Sequence, residues 1–179
     1  MIAQSHTAFV SCSLKYEDRP TVDFFRDLLF ANDIRPVTIG IDVPAKNEYE
    51  AARIAPDIVR ACDCVVASQS KRYQMIDGAY KPSEWTIEEP RMGIDSSKPL
   101  YVFHDADVAL KGAYTSIARF AVPFNEGALA AQRSQLDSHC SKIRDELSSM
   151  KSQGLLATIG TLAIVGGGLY LLYRLMSKE

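Results

Sequence analysis

The chain has 179 residues, 47% of them hydrophobic, with 20 Lys and Arg against 22 Asp and Glu for a net charge of −2. Leaving out residues 152–179 removes two bases, Arg174 and Lys178, and one acid, Glu179. The remaining 18 bases against 21 acids exclude nucleic-acid binding through a basic surface. Cys12, Cys62, Cys64 and Cys140 show neither paired C-x-x-C spacing nor the density of a secreted disulfide scaffold, which points to reduced thiols.

From the start of the chain, Met1 to Thr7 is short and polar and Ala8 to Cys12 is too brief for a secretory core. No signal peptide is expected, and the head is expected in the cytoplasm. Ala8–Ser13 is an apolar run ending in small hydroxyls, a first strand that feeds a polar loop from Leu14 to Arg19. Pro20 and Thr21 suit a helix start, and Val22, Phe25, Leu28 and Leu29 recur at three- and four-residue spacing to about Asn32. Pro36–Ile41 reads as a second strand, followed by a loop through Asn47 and a helix carrying Ala51, Ile54, Ile58 and Val59. Cys64–Ala67 is a fully apolar third strand, Leu100–Phe103 a fourth, and Phe120–Phe124 a short fifth. Continuous apolar strands alternating with helices predict an α/β fold, a parallel sheet of about five strands covered on both faces. Residues 1–127 are assigned to this domain, ample for one core.

Beyond it, Leu129, Leu136, Ile143 and Met150 recur at sevens, with Cys140 and Leu147 between them. This spacing over 128–151 fits either a self-associating stalk or an amphipathic last helix packed on the sheet. Ser152–Tyr173 then runs 22 residues without a charge, long enough as a helix to cross a bilayer core of roughly 30 Å. A transmembrane helix is therefore expected over 152–176 with a short tail at 177–179, making the protein a single-pass, tail-anchored membrane protein with a cytoplasmic head.

Chemistry concentrates around Trp85-Thr86-Ile87-Glu88-Glu89, after the third strand and a polar loop. In an open parallel α/β sheet, ligands bind at the carboxyl ends of the strands, and this stretch places a carboxylate there. Glu89 is the candidate catalytic group. Pro90 follows it directly and disfavours helical geometry at Glu89, so Glu88 is the alternate. Trp85 is a candidate wall for a substrate ring, or a packing residue. Ser11 and Ser13, ending the first strand, and the basic pair Lys71 and Arg72, following the third, are candidate substrate contacts. His104, Asp105 and Asp107 lack a recognisable ligand framework, so no metal site is assigned.

These residues carry a family resemblance. Phe9-Val10-Ser11-Cys12-Ser13 with Glu17-Asp18 resembles the first box of Toll/interleukin-1 receptor (TIR) domains. Val65-Val66-Ala67-Ser68, then Tyr73, Ser83, Trp85 and Glu89, is similar to the family stretch leading to its catalytic glutamate, and Lys98-Pro99-Leu100 resembles the strand that follows. The loop Gly40–Asn47 lacks the Arg-Asp and Pro-Gly pairs of adaptor-type members. The resemblance covers residues 8 to 125. It implies a flavodoxin-like TIR domain that cleaves the nicotinamide–ribose bond of NAD+ as substrate, with no further cofactor, and with Ser11 and Ser13 as candidate ribose or phosphate contacts and Lys71 and Arg72 as candidate pyrophosphate contacts. It also implies that the site is completed when heads self-associate as a homo-oligomer, in a setting such as antiphage defence or cell-death signalling. A non-catalytic TIR scaffold at the membrane is the alternative, and a nucleoside deoxyribosyltransferase-like enzyme the third.

Overall fold

The computed structural model describes residues 5–76, 78–82, 85–110 and 117–176, with the backbone alone for 85–88 and 154–176. Five strands form one parallel sheet: β1 (His6–Ser11), β2 (Ile34–Val37), β3 (Cys64–Gln69), β6 (Leu100–Asp105) and β7 (Phe120–Phe124), in the order β2-β1-β3-β6-β7. Every residue of β3 is buried, and β1 and β6 are buried at all but one position each, whereas the outer strands β2 and β7 alternate between buried and exposed. Central strands covered on both faces have to be apolar throughout, which is why they read as unbroken runs.

Helix α1 (Arg19–Ala31) turns Val22, Phe25, Leu28 and Leu29 inward. The Phe25 ring lies 4.7 Å from that of Phe103 and 5.0 Å from that of Phe124, on one face of the sheet. Helices α2 (Glu48–Ala61) and α3 (Trp85–Asp95) cover the other face, over Phe9, Val65, Ala67, Leu100 and Val102. This is the flavodoxin-like, doubly wound arrangement, in which the connections diverge between β1 and β3. The fold class expected from the strand pattern is present in these coarse terms.

Two details differ from the sequence reading. The second strand is Ile34–Val37, not Pro36–Ile41, because the chain turns at Thr38: Gly40 takes φ +86°, and Asp42 and Val43 donate their N–H groups to Thr38 O. A small antiparallel hairpin, β4 (Tyr73–Gln74) with β5 (Tyr80–Lys81), lies in the stretch read as a loop.

The chain divides into two compact units, Met1–Arg144 and Asp145–Glu179. Helix α4 runs from Leu129 to Met176. Leu136, Cys140 and Ile143 are buried within the first unit, where Asn32 at the end of α1 donates to Asp137 Oδ1 at 2.8 Å. This part of α4 is the last helix of the domain. The expected transmembrane anchor is overturned: among the described residues no helix is long and apolar enough to cross a membrane. Where its side chains are described, α4 carries a charge on nearly every turn, at Arg133, Asp137, Lys142, Arg144, Asp145, Glu146 and Lys151. The side chains of 154–176, on which the expectation rested, lie outside the described residues. The membrane location is withdrawn with the anchor.

Candidate active site

The sheet delivers its functional groups to one edge. β1 ends at Ser11 and β3 at Gln69, neighbouring parallel strands whose chains leave in opposite directions, so a crevice opens at their carboxyl ends. A cleft of about 510 Å³ occupies it. The β1–α1 loop contributes Cys12 to Lys15, the turn after β2 contributes Ile39, α2 contributes Glu48 and Ala51, the segment after β3 contributes Arg72 and Tyr73, and α3 contributes Glu89.

Glu89 is the buried acid of this cleft, 9% exposed. Burial pushes its carboxyl up from 4.5 to about 7, and the nearby Ser11 hydroxyl pulls it back only in part. Ser11 Oγ is itself fully buried and closes no hydrogen bond within bonding distance among the described residues. It is absent from the cleft lining. Pro90 does not displace Glu89. Helix α3 runs through the proline, giving up the bond its N–H would make to the carbonyl of Thr86, and keeps Glu89 helical.

Depth is set one turn further on. Gly93 shares a helix face with Glu89, four residues away, and a Cβ built there would stand 2.5 Å from Val65 Cγ2. Only a glycine allows α3 to lie this close to β3. Cys12 is 8% exposed, and burial first, then the charge of Glu89, pushes its thiol up to about 12. It is therefore no thiolate at neutral pH. All four cysteines are buried, and none forms a disulfide.

The two candidate pyrophosphate contacts are otherwise engaged. Arg72 is 8% exposed and its guanidinium is spent on the β1–α1 loop, donating to Glu17 Oε1 at 3.0 Å, to Ser13 Oγ and to the buried Asp18. It ties the two lips of the cleft together. Lys71 lies outside the cleft lining and pairs with Asp107 at 2.6 Å and Asp105 at 3.3 Å. Ser13 lines the cleft, where its Oγ accepts from Arg72. Trp85 opens α3, but its side chain and that of Glu88 lie outside the described residues, as does Ser83. No group of three or more His, Cys, Asp or Glu able to hold a metal occurs among the described residues.

Sequence reasoning missed Glu48, Lys15 and Leu14 as cleft residues, and it quoted Tyr73 only as part of a motif. Glu48 had one local signal, its place directly after Asn47, a helix N-cap whose Oδ1 accepts from Glu50 N at 2.9 Å. Nothing local says that this helix start faces α3.

No family model and no curated protein matches the chain. Solved structures do. The chain is similar to the 2-deoxyribosyltransferase of Bacillus psychrosaccharolyticus, at 10% identity and a TM-score of 0.51 over 66% of this chain and 86% of that one. It is also similar to a diflavin flavoprotein A3 from Nostoc sp., at 8% identity and 0.53 over 86% and 99%. The CMP N-glycosidase of Clostridium botulinum matches at 12% identity and 0.48 over 73% and 98%. At such identities the first two establish the α/β fold and nothing finer. The SEFIR domain of IL-17 receptor B matches at a TM-score of only 0.37, with 15% identity over 75% and 96%, so the TIR resemblance rests on its motifs.

Proposed function

We propose that the protein cleaves an N-ribosyl bond, with Glu89 as the carboxylate that acts at the anomeric carbon and NAD+ as the substrate. One observation carries the reading: among the described residues, one buried carboxyl, raised to about 7, lines a cleft at the point where the strand connections diverge. As the bond from C1′ to the ring nitrogen breaks, the ribose gains oxocarbenium character, and an anion held in a poorly solvated wall stabilises that charge far better than water-exposed carboxylates do. The nicotinamide ring of NAD+ is cationic and leaves neutral, so its departure needs no proton from the protein. Its positive charge also favours the ionised form of Glu89, offsetting the burial that opposes it. The TIR-like order of motifs around Ser11, Tyr73 and Glu89 supports NAD+ as the substrate.

Self-association belongs to the same proposal. Tyr16, Tyr49 and Ile76 are exposed at 94%, 81% and 110%, each on a segment that contributes to the cleft lining, and a second head would cover such side chains.

The test is nicotinamide release from NAD+ by the full-length protein at high density, beside Glu89→Gln. Release that vanishes in the variant while its circular dichroism is unchanged supports the assignment. A folded, associated protein that releases nothing would leave a scaffold role instead.

A second reading is favoured by the deoxyribosyltransferase-like fold: transfer of a deoxyribosyl group between nucleobases, with Glu89 as nucleophile and a covalent glycosyl–enzyme intermediate. Intact mass of the protein after mixing with a deoxynucleoside distinguishes the two, since only this route adds a deoxyribosyl group to Glu89.

A further inference from the structure

Helix α2 starts with two acids, and the fold employs them differently. Glu50 closes the helix start: its N–H bonds Asn47 Oδ1 and its Oε2 accepts from Lys46 N at 2.7 Å. The Glu48 side chain makes no hydrogen bond or ion pair among the described residues and lines the cleft, as does Ala51 three residues on, which fixes the helix face turned to it. The cavity thus has two carboxylates on neighbouring helices. Glu89 is buried, and Glu48 is exposed at the mouth.

We propose that Glu48 is the general base of the hydrolysis, taking a proton from the water that attacks C1′ while Glu89 faces the charge developing on the sugar. This inference rests on the N-ribosyl cleavage reading. The C1′–N bond breaks with both electrons passing to the ring nitrogen, which leaves as the neutral base. A lone pair of the water oxygen forms the new C1′–O bond, one O–H proton passes to the Glu48 carboxylate, and solvent at the mouth carries it away. A cationic N-glycoside and water give the free base, the ribosyl hydroxyl compound and one proton, so atoms and charge balance.

Two physical arguments assign the parts this way. A carboxylate set against the sugar is poorly placed to deprotonate a water approaching another face, and enzymes of glycosidic bonds divide these tasks between two acids. Glu48 also stands in the first turn of α2, where the unpaired backbone N–H groups favour a negative charge. The cleft's cations do not cancel it. Arg72 is committed to Asp18 and Glu17, and Lys15, from the first loop, has no ion pair among the described residues.

The test separates bond cleavage from water attack. Full-length protein is given NAD+ with and without added 3-acetylpyridine, and two products are followed: ADP-ribose from hydrolysis and the acetylpyridine dinucleotide from base exchange. Exchange breaks and remakes the C1′–N bond without activating water. In Glu48→Gln, hydrolysis should fall on the order of 100-fold while exchange stays within about twofold, and the retained exchange itself reports a folded site. Glu89→Gln should lose both. Equal loss of both reactions in Glu48→Gln, or loss of neither, overturns the assignment of Glu48 alone. A wild-type protein that neither hydrolyses nor exchanges overturns the cleavage reading, and the base with it.

Discussion

Replacing Glu89 with glutamine should stabilise the fold, and only above a definite pH. The folded carboxyl titrates at about 7 against 4.5 for a free one, because burial penalises its charge. The folded state therefore binds more protons than the unfolded chain between these values. Stability from this group is complete below pH 4.5 and is lost as pH rises through 7. At 1.36 kcal/mol per unit, the loss on going from pH 4.5 to above pH 7 is about 3 kcal/mol. Glutamine has a similar shape and no charge to bury, so it escapes this loss. Urea unfolding followed by circular dichroism at a series of pH values gives the difference directly. The two proteins should agree near pH 4 and separate steadily, reaching a midpoint difference on the order of 1 to 2 M in urea by pH 8. A difference that stays flat with pH would mean that Glu89 does not titrate as a buried acid, and the physical basis for its activation would be gone.

Two further substitutions test how the carboxylate is held. Gly93→Ala drives a methyl into Val65 Cγ2, so α3 has to lift and Glu89 moves with it; a destabilisation of about 1–3 kcal/mol and a fall in NAD+ cleavage are expected. Val65→Ala in the same chain should restore much of both, read as a double-mutant cycle of unfolding energy and rate. Arg72→Ala strands the buried Asp18 carboxylate and should cost about 3–5 kcal/mol in thermal or urea unfolding, whereas the double variant Arg72→Ala, Asp18→Ala should recover most of it. If Arg72 were instead a phosphate contact, the single variant would keep its stability and raise KM.

The layers of this fold could be read from the chain because each central strand is buried on both faces, so Val65, Val66 and Ala67 needed no partner to be recognised. The end of β2 could not. Pro36–Ile41 is apolar enough for a strand, and what bends it is the Arg26 guanidinium, which donates to Thr38 Oγ1 at 2.7 Å and to Asp42 Oδ2 at 2.6 Å. The site divides the same way. The position of Glu89 in the cleft, though not its role, followed from its place after an apolar strand and a loop. The duties of Arg72 depend on Asp18, which lies 54 residues earlier and meets it only once β1 and β3 are paired. Lys71 and Arg72 are adjacent in the chain, yet one pairs with the end of β6 and the other with the loop after β1. A pattern of charges along a segment carries no record of which neighbour the fold brings to each. The uncharged run at 152–173 shows the opposite weakness: lack of charge over one stretch suggested a span, yet among the described residues no helix is long and apolar enough to cross a membrane.

The charge of the substrate offers the sharpest division between the two enzymatic readings. The pH dependence of kcat/KM reports Glu89 in the free protein, and that of kcat reports it with substrate bound. If the carboxylate acts as an anion, kcat/KM should rise with pH and level off near 7, the value that burial imposes on the empty cleft. Bound NAD+ brings a cationic ring beside that carboxylate, favours its ionised form and moves the inflection in kcat downward by about one unit or more. A neutral deoxynucleoside displaces water without supplying charge, so the carboxyl becomes drier still and the inflection in kcat moves upward. The direction of the shift between the two profiles, measured with the same protein, separates the readings without a structure of the complex. No shift with NAD+ would place the pyridinium away from Glu89 and refute the electrostatic argument for cleavage there.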